Sequence, residues 1–248
     1  MSAGQGKRLS PLTDVRPKCL IPVRGVPILG WQLRALAACG VTDITVVTGF
    51  EAESVQSAVR SLNVDADVAC IVNPFYSIAD NIGSCWTARD RFGPDTLLLN
   101  GDTLFGPETL RRLLEQAGTG ITVAIDRKPV YDADDMKVRV SDGRLRRIGK
   151  TLEGPVDGES IGMIRMRDDG GARFVDALSR TLSDPAALRL WYLSVIDRLA
   201  DEGDGVGVAS IEGLPWCEVD FPRDLPVAEE RVAAFVWPGE QARQTGVL

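Results

Sequence analysis

Over its first 125 residues the chain switches repeatedly between short β-branched runs and amphipathic stretches. That alternation restricts the fold more than any other feature. Asp43–Thr48 (DITVVT), Val68–Val72, Thr96–Leu99 and Ile121–Ile125 read as buried strands. Between and before them, Pro27–Gly40, Ala52–Leu62, Asn81–Phe92 and Pro107–Ala117 carry apolar residues at helical spacing. Gly40 closes the first of these as a helix-ending glycine, and Pro107 opens the last in its first turn. Alternation of this kind makes parallel βα units, and so an α/β fold.

The remainder changes character. Lys137–Val140 and Leu145–Ile148 flank Asp142-Gly143, a hairpin signal. Ser160–Met166 and Gly207–Ile211 read as strands, and Ala172–Ser183, Pro185–Glu202 and Pro226–Val236 as helices. The expectation is one domain over residues 1–237, a three-layer α/β/α arrangement with a mixed, mostly parallel central sheet. Residues 127–160 would form a lid or hairpin insert, and residues 238–248 a polar tail.

Composition then removes whole classes of chemistry. There is no histidine among the 248 residues, which excludes Ser-His-Asp and Cys-His hydrolases and imidazole proton shuttles. The net charge of −7 argues against a nucleic-acid or anionic-membrane surface. The five cysteines never fall as CxxC and read as reduced thiols of a cytoplasmic protein. What remains is carboxylate, Lys, Arg and a hard metal ion.

Three constellations fit that description. In MSAGQGKRLSPLTDVRPKCLIPV, Gly4 and Gly6 allow backbone N–H groups to approach phosphate oxygens, with Lys7, Arg8 and Lys18 adding charge. In LLLNGDTLF, an apolar strand runs into Asp102, either a turn residue or a carboxylate at the ligand-binding edge of a parallel sheet. In LPWCEVDFPRDL, Glu218 and Asp220 would share one face of a strand, between Trp216, Val219 and Phe221. An acidic pair with such apolar flanks calls for a cation, and oxygen-only ligands suit Mg²⁺.

The stretch AGQGKRLSPLTDVRPKCLIPVRGVPIL resembles the signature AGxGxRLxPLTxxxPKxLxPVxGxPxL of nucleotidyltransferases that load sugar phosphates and related phosphoesters onto a nucleotide. The resemblance implies that Ala3, Gly4, Gly6, Lys7 and Arg8 bind the nucleoside triphosphate and that Lys18 bridges the reacting phosphates. It also implies that Asp102 and Asp220, with Glu218 beside them, hold Mg²⁺. NPFYSIADNIGSCWTARDRF is similar to the NPxYxxxNNIxSLxxA stretch of phosphocholine cytidylyltransferases and their inositol-phosphate and alkylphosphonate relatives. Asn73, Asn81 and Ser84 match, while Asp80 replaces the first Asn of the pair. The same residues also suit a capped helix start.

That subgroup implies CTP as donor, a small phosphate or phosphonate as acceptor, and pyrophosphate as product. Lys150 falls where sugar-phosphate transferases carry a lysine for the acceptor phosphate, with Lys137 and Glu159 as further candidates. Trp191, Tyr192, Trp216 and Tyr131 could box a quaternary ammonium, helped by Asp132, Asp134 or Asp135, or could simply be core. Two other readings stand beside this one: a sugar-1-phosphate transferase using UTP, dTTP or GTP, and a nucleotide-binding module without turnover. A homo-oligomer is compatible with all three. The family also carries a strand before the glycine loop, where only Met1, Ser2 and Ala3 stand here. The expectation is that Met1 is internal to a longer protein, with roughly six apolar residues upstream, about one ordinary strand.

Overall fold

The computed structural model describes residues 1–203 and 205–238. The polar tail expected beyond Trp237 therefore lies, from residue 239 on, outside the described residues. In chain order the strands are β1 Pro22–Val23, β2 Val26–Pro27, β3 Asp43–Thr48, β4 Asp67–Val72, β5 Asp95–Leu99 and β6 Thr103–Phe105. They continue as β7 Gly120–Asp126, β8 Lys137–Ser141, β9 Arg144–Gly149, β10 Gly158–Arg167, β11 Gly207–Ser210 and β12 Trp216–Glu218. The α-helices are α1 Ile28–Ala38, α2 Ala52–Ser61, α3 Asn81–Thr87, α4 Pro107–Gln116, α5 Gly170–Leu182, α6 Leu193–Asp201 and α7 Leu225–Ala233.

Six strands form one mixed sheet in the order β5-β10-β7-β11-β9-β8. β10 runs antiparallel to both β5 and β7, so those two point the same way, and β11 joins β7 in parallel. β3 and β4 make a separate parallel pair in full register. Period-two alternation then divides the apolar residues between two faces. Ile121, Val123 and Ile125 of β7 pack with α3, α5 and α6, whereas Ala124 faces α1, α2 and α4. β10 obeys the same rule, sending Ile164 and Met166 one way and Ile161 and Met163 the other. Helices therefore cover both faces, as the sequence pattern implied. A third apolar cluster ties α7 to Leu9, Ile21, Val23 and Ile28 beneath the glycine loop.

Several elements depart from the sequence expectation. Pro185–Glu202 is two pieces, a 3₁₀ turn at Pro185–Arg189 and then α6. The break is tertiary: the Asp80 N–H donates to the Leu188 carbonyl at 2.7 Å, and the Tyr192 N–H to Asn81 Oδ1 at 2.8 Å. Leu190 is left extended between them. The β8–β9 hairpin is built into the edge of the main sheet rather than inserted, because Val138 pairs with Gly158 and Arg144 with Gly207. The pairing of β6 with β12 had no period-two signal, both strands being three residues long.

β3 and β5 flank a gap. The Ser2 N–H donates to the Val47 carbonyl at 2.8 Å on one side, and the Met1 ammonium to the Leu99 carbonyl at 2.6 Å on the other. Alongside lies a cavity of about 420 Å³ lined by residues of β3, β5 and α1.

Two features position the site. The β10 register shifts between Ser160 and Ile164 around Gly162, which takes a left-handed φ of 70°. A Cβ there would lie 2.3 Å from Asn100 Nδ2 and 2.9 Å from Asn100 Cβ, so the bulge makes room for the turn that carries Asp102. The second is the loop after β7. Lys128 bridges Asp135 at 2.8 Å and Glu159 at 2.9 Å, pinning the loop to the start of β10. Burial pushes the Glu159 carboxyl up to about 7, with Asp135 adding to the effect and Lys128 opposing it.

Gly162→Ala is expected to lower stability by about 1–3 kcal/mol, from positive φ and the displaced Asn100, measured by denaturant unfolding. A variant as stable as the parent would contradict this account of the bulge. For Glu159, the folded chain keeps a proton that the unfolded chain releases above 4.5, so stability falls as pH rises from there toward 7. In Glu159→Gln that slope should flatten. The variant-minus-parent difference in Tm should therefore become more positive between pH 5 and pH 8, and a constant difference would refute the assignment.

Candidate active site

The glycine loop hangs from the carboxyl end of β3. The Phe50 N–H donates to the Ala3 carbonyl at 2.9 Å, just beyond the Ser2 bond to Val47. Gly6 takes φ 77°, and a Cβ on it would meet Lys18 Cβ at 2.8 Å, so only glycine lets the lysine stem lie against the loop. Buried Thr13 fixes the curve by donating its hydroxyl to the Gly6 carbonyl at 2.7 Å. Leu9 and Cys19, both buried, anchor the two single-turn 3₁₀ segments Lys7–Leu9 and Lys18–Leu20. Arg8 and Lys18 are thereby aimed from the loop toward one cleft.

Asp102 arrives on the Asn100–Gly101–Asp102 turn after β5. Buried Gln32 of α1 clamps that turn, donating to the carbonyls of Asn100 at 2.7 Å and Thr103 at 2.8 Å. The β6–β12 pairing sets Glu218 opposite Thr103, and the Val219 N–H bonds the Asp102 carbonyl at 3.1 Å. Asp220 follows, its N–H and that of Phe221 both donating to Asp224 Oδ2. A three-stranded-apart turn and a C-terminal strand are thus brought into contact by one short ladder.

Lys18 sits where they meet. Its Nζ donates to Asp102 Oδ2 at 2.8 Å and also to Asp220 Oδ1. Arg8 donates to the other Asp220 oxygen at 2.8 Å and lies over the Phe221 ring, 5.0 Å from its centroid. Burial would lower the Lys18 pKa, but the Asp102 and Asp220 carboxylates more than reverse this and hold it above its usual value. For Asp102, burial pulls upward and the Lys18 ammonium pulls its carboxyl down more strongly. Glu218 is exposed in the cleft yet closely walled; that confinement, followed by the charges of Asp102 and Asp220, pushes its carboxyl up to about 8.

The site carries more negative charge than it neutralises. Asp102 Oδ1 is buried without a hydrogen-bond partner, and an orphaned carboxylate oxygen beside a crowded Glu218 fits an added cation. Among the described residues no three Asp, Glu, Cys or His groups converge tightly enough to form a complete metal cage. The open Asp102 Oδ1, with Glu218 and Asp220 close by, suits an ion such as Mg²⁺, which keeps waters and phosphate oxygens in its shell.

The cleft is about 460 Å³ and is lined by Ala3, Gly4, Gly6, Arg8, Lys18, Asn73, Asp80, Asn81, Ser84, Asp102, Lys150, Trp191, Glu218 and Asp220. Other expected residues fall elsewhere. Lys7 is exposed and does not line it. Lys137 donates to the carbonyls of Asp132 and Lys150, and Glu159 serves Lys128, so both hold the β7–β8 loop. The four-sided aromatic box is not assembled. Tyr192 is fully buried among α3, α5 and α6, since the chain must enter α6 there with its apolar face inward. Trp216 donates to Asp126 Oδ2 at 2.7 Å, and the Tyr131 hydroxyl accepts from the Lys128 N–H. Trp191 alone of the four faces the cleft, with Lys150 Nζ 4.7 Å from its ring.

Asn73, Asp80, Asn81 and Ser84 line the cleft while serving the fold. Asn73 is bonded to Ser84 and to the Phe75 N–H, Asp80 accepts from the Asn81 N–H, and Asn81 accepts from Tyr192. Sequence reasoning passed over Gln32 and Thr13. The available signal for Gln32 was a lone amide within the apolar run PILGWQLRALAACG.

The sequence profile of the MobA-like NTP transferase domain matches residues 1–156. The chain is 32% identical to CMP-5'-(3-aminopropyl)phosphonate synthase of Streptomyces rubellomurinus over 98% of its own length, and spans 39% of that protein. It is 22% identical to CTP:phosphoglutamine cytidylyltransferase of Campylobacter jejuni, covering 93% of this chain and 98% of the relative. In structure it is similar to the inositol-1-phosphate CTP transferase of T. maritima, with a TM-score of 0.78 over 95% of both chains at 20% identity. That likeness establishes the α/β fold with its mixed sheet. With the glycine loop, Lys18 and the two distant acids gathered in one cleft, the chain belongs to the MobA-like NTP transferase family.

Proposed function

We propose that the chain is an Mg²⁺-dependent cytidylyltransferase that joins CMP from CTP to a small phosphonate or phosphate acceptor and releases pyrophosphate. The observation that carries this reading is the convergence of Lys18 on Asp102 and Asp220 at the floor of a cleft walled by the glycine loop. The choice of cytidine and of a phosphonate-like acceptor is supported by two relatives, one named for a CMP-phosphonate product and one for CTP.

The chain's own residues account for the chemistry. Backbone N–H groups around Gly4 and Gly6, with the Arg8 guanidinium, grip the triphosphate. Lys18, still protonated because two acids hold its pKa up, places a fixed positive charge beside the reacting phosphates. Lys150 faces the loop from the far wall and receives the acceptor's anionic group. That group attacks the α-phosphorus as the bond to the β-phosphate breaks, and pyrophosphate departs with the electron pair. A phosphomonoester acceptor is already mostly dianionic at neutral pH, so for it no general base is needed and the absence of histidine carries no penalty. Asp102 and Asp220, with Glu218 nearby, would hold Mg²⁺, which would supply charge neutralisation at the phosphates.

Pyrophosphate release across CTP, UTP, dTTP and GTP, each paired with 2-aminoethylphosphonate, phosphocholine or glucose 1-phosphate, tests this directly. Turnover is expected with CTP and a phosphonate or phosphocholine, and chelation of divalent cations should abolish it. Preference for UTP or dTTP with the sugar phosphate would overturn the reading, as would no turnover with any pair. Asp102→Ala should cut kcat by at least about a hundredfold while the circular-dichroism spectrum and Tm stay near the parent's. Parent-like rates at saturating Mg²⁺ would remove Asp102 from the mechanism.

A further inference from the structure

Five carboxylates line the cleft (Asp80, Asp102, Asp134, Glu218 and Asp220) against three cationic side chains (Arg8, Lys18 and Lys150). That is a poor balance for a site that must seat two anionic substrates. Lys18 is engaged by Asp102 and Asp220, and one Arg8 amino group bonds the other Asp220 oxygen at 2.8 Å, which leaves Lys150 and the second Arg8 amino group to meet an incoming acceptor. Both already face the same carboxylate. Asp134 Oδ1 lies 3.2 Å from Lys150 Nζ, and its Oδ2 lies 3.9 Å from an Arg8 nitrogen.

Asp134 is presented by an ordered turn. The Asp134 and Asp135 N–H groups both donate to Asp132 Oδ1, at 2.8 and 3.2 Å, and the Asp132 N–H donates to Asp135 Oδ2 at 2.7 Å. Lys128 holds Asp135, and Lys137 holds the Asp132 carbonyl. The turn is tethered on both sides of Asp134, while the Asp134 side chain keeps 60% of its surface exposed and contributes no bond to the turn. Its ion pairs run instead to Arg8 of the glycine loop and, with a hydrogen bond, to Lys150, a cation stacked on Trp191.

The geometry points to Asp134 as an internal stand-in for the acceptor's anion: it occupies the position between Arg8 and Lys150 that the phosphonyl or phosphoryl group takes, and must be displaced for that group to bind. The inference rests on the acceptor-binding role proposed above for Lys150. A phosphonate dianion brings three oxygens and more charge than one carboxylate, so it can satisfy both cations and win the exchange. In the resting protein Asp134 is the carboxylate that pairs Lys150, while Arg8 keeps Asp220 as well. The exchange sets a tax on acceptor affinity, because binding must first break the Asp134 contacts.

Asp134→Asn removes the charge and keeps the turn, whose bonds come from backbone and from Asp132 and Asp135. Binding of methylphosphonate, which has an anionic group and no head group, is followed by ³¹P chemical-shift titration. The expected result is a tightening of about three- to tenfold over the parent, the range that two partly exposed ion pairs can account for. In the Lys150→Met background the same substitution should give little or no gain, since the competed cation is gone. With CTP and 2-aminoethylphosphonate the improvement should be read in the acceptor's KM rather than in kcat. Unchanged or weaker methylphosphonate binding in Asp134→Asn overturns the inference. So does a higher KM confined to the amino-bearing acceptor, which would make Asp134 a head-group contact. Because the methylphosphonate titration needs no turnover, tightening in an enzyme that fails every triphosphate would leave this inference standing while the cytidylyltransferase reading fell.

Discussion

One ammonium shared by two carboxylates organises this molecule. Lys18 reaches Asp102 and Asp220 from a loop near the amino end, while its partners come from a turn after β5 and from the stretch after β12. The three charges meet in a partly buried setting, where each offsets part of the cost of taking the others out of water. Much of the surrounding fold serves this contact. Gln32 clamps the Asp102 turn, Gly6 clears space for the lysine stem, and Asp224 ties down the backbone that carries Asp220. The remaining imbalance, an orphaned Asp102 oxygen and a Glu218 raised to about 8, is what makes the place attractive to a further cation.

Much of this was legible before any coordinates. The alternation of strand and helix patterns gave the layered fold, because strands buried on both faces, such as β7 and β10, read as near-continuous apolar runs between amphipathic helices. The glycine loop and Asp102 were ambiguous from residue type and local context, and it was the resemblance to a family signature that singled them out together with Asp220. What could not be read was anything set by contacts far apart in sequence. The Pro185–Glu202 pattern looks helical throughout, and only bonds from Asp80 and Asn81 interrupt it. Tyr192 and Trp216 carry the same composition signal as Trp191, yet burial and an Asp126 partner commit them to the fold. Side-chain type does not say which way an aromatic ring faces.

The same limit explains the acidic residues of the β7–β8 loop. Asp132, Asp134 and Asp135 are nearly interchangeable on paper. In the folded chain Asp132 and Asp135 close a turn, and Asp134 is left to reach across the cleft. Three neighbouring carboxylates thus divide between closing the turn and pairing with the cations of the cleft, according to which backbone donors lie within reach.

The gap between β3 and β5 bears on how the whole behaves. Because the glycine loop is rooted at that seam, through Ser2 on one side and Met1 on the other, it doubles as a rivet between two leaves of sheet. The position of the loop and the spacing of the two strands are therefore set by the same pair of backbone bonds.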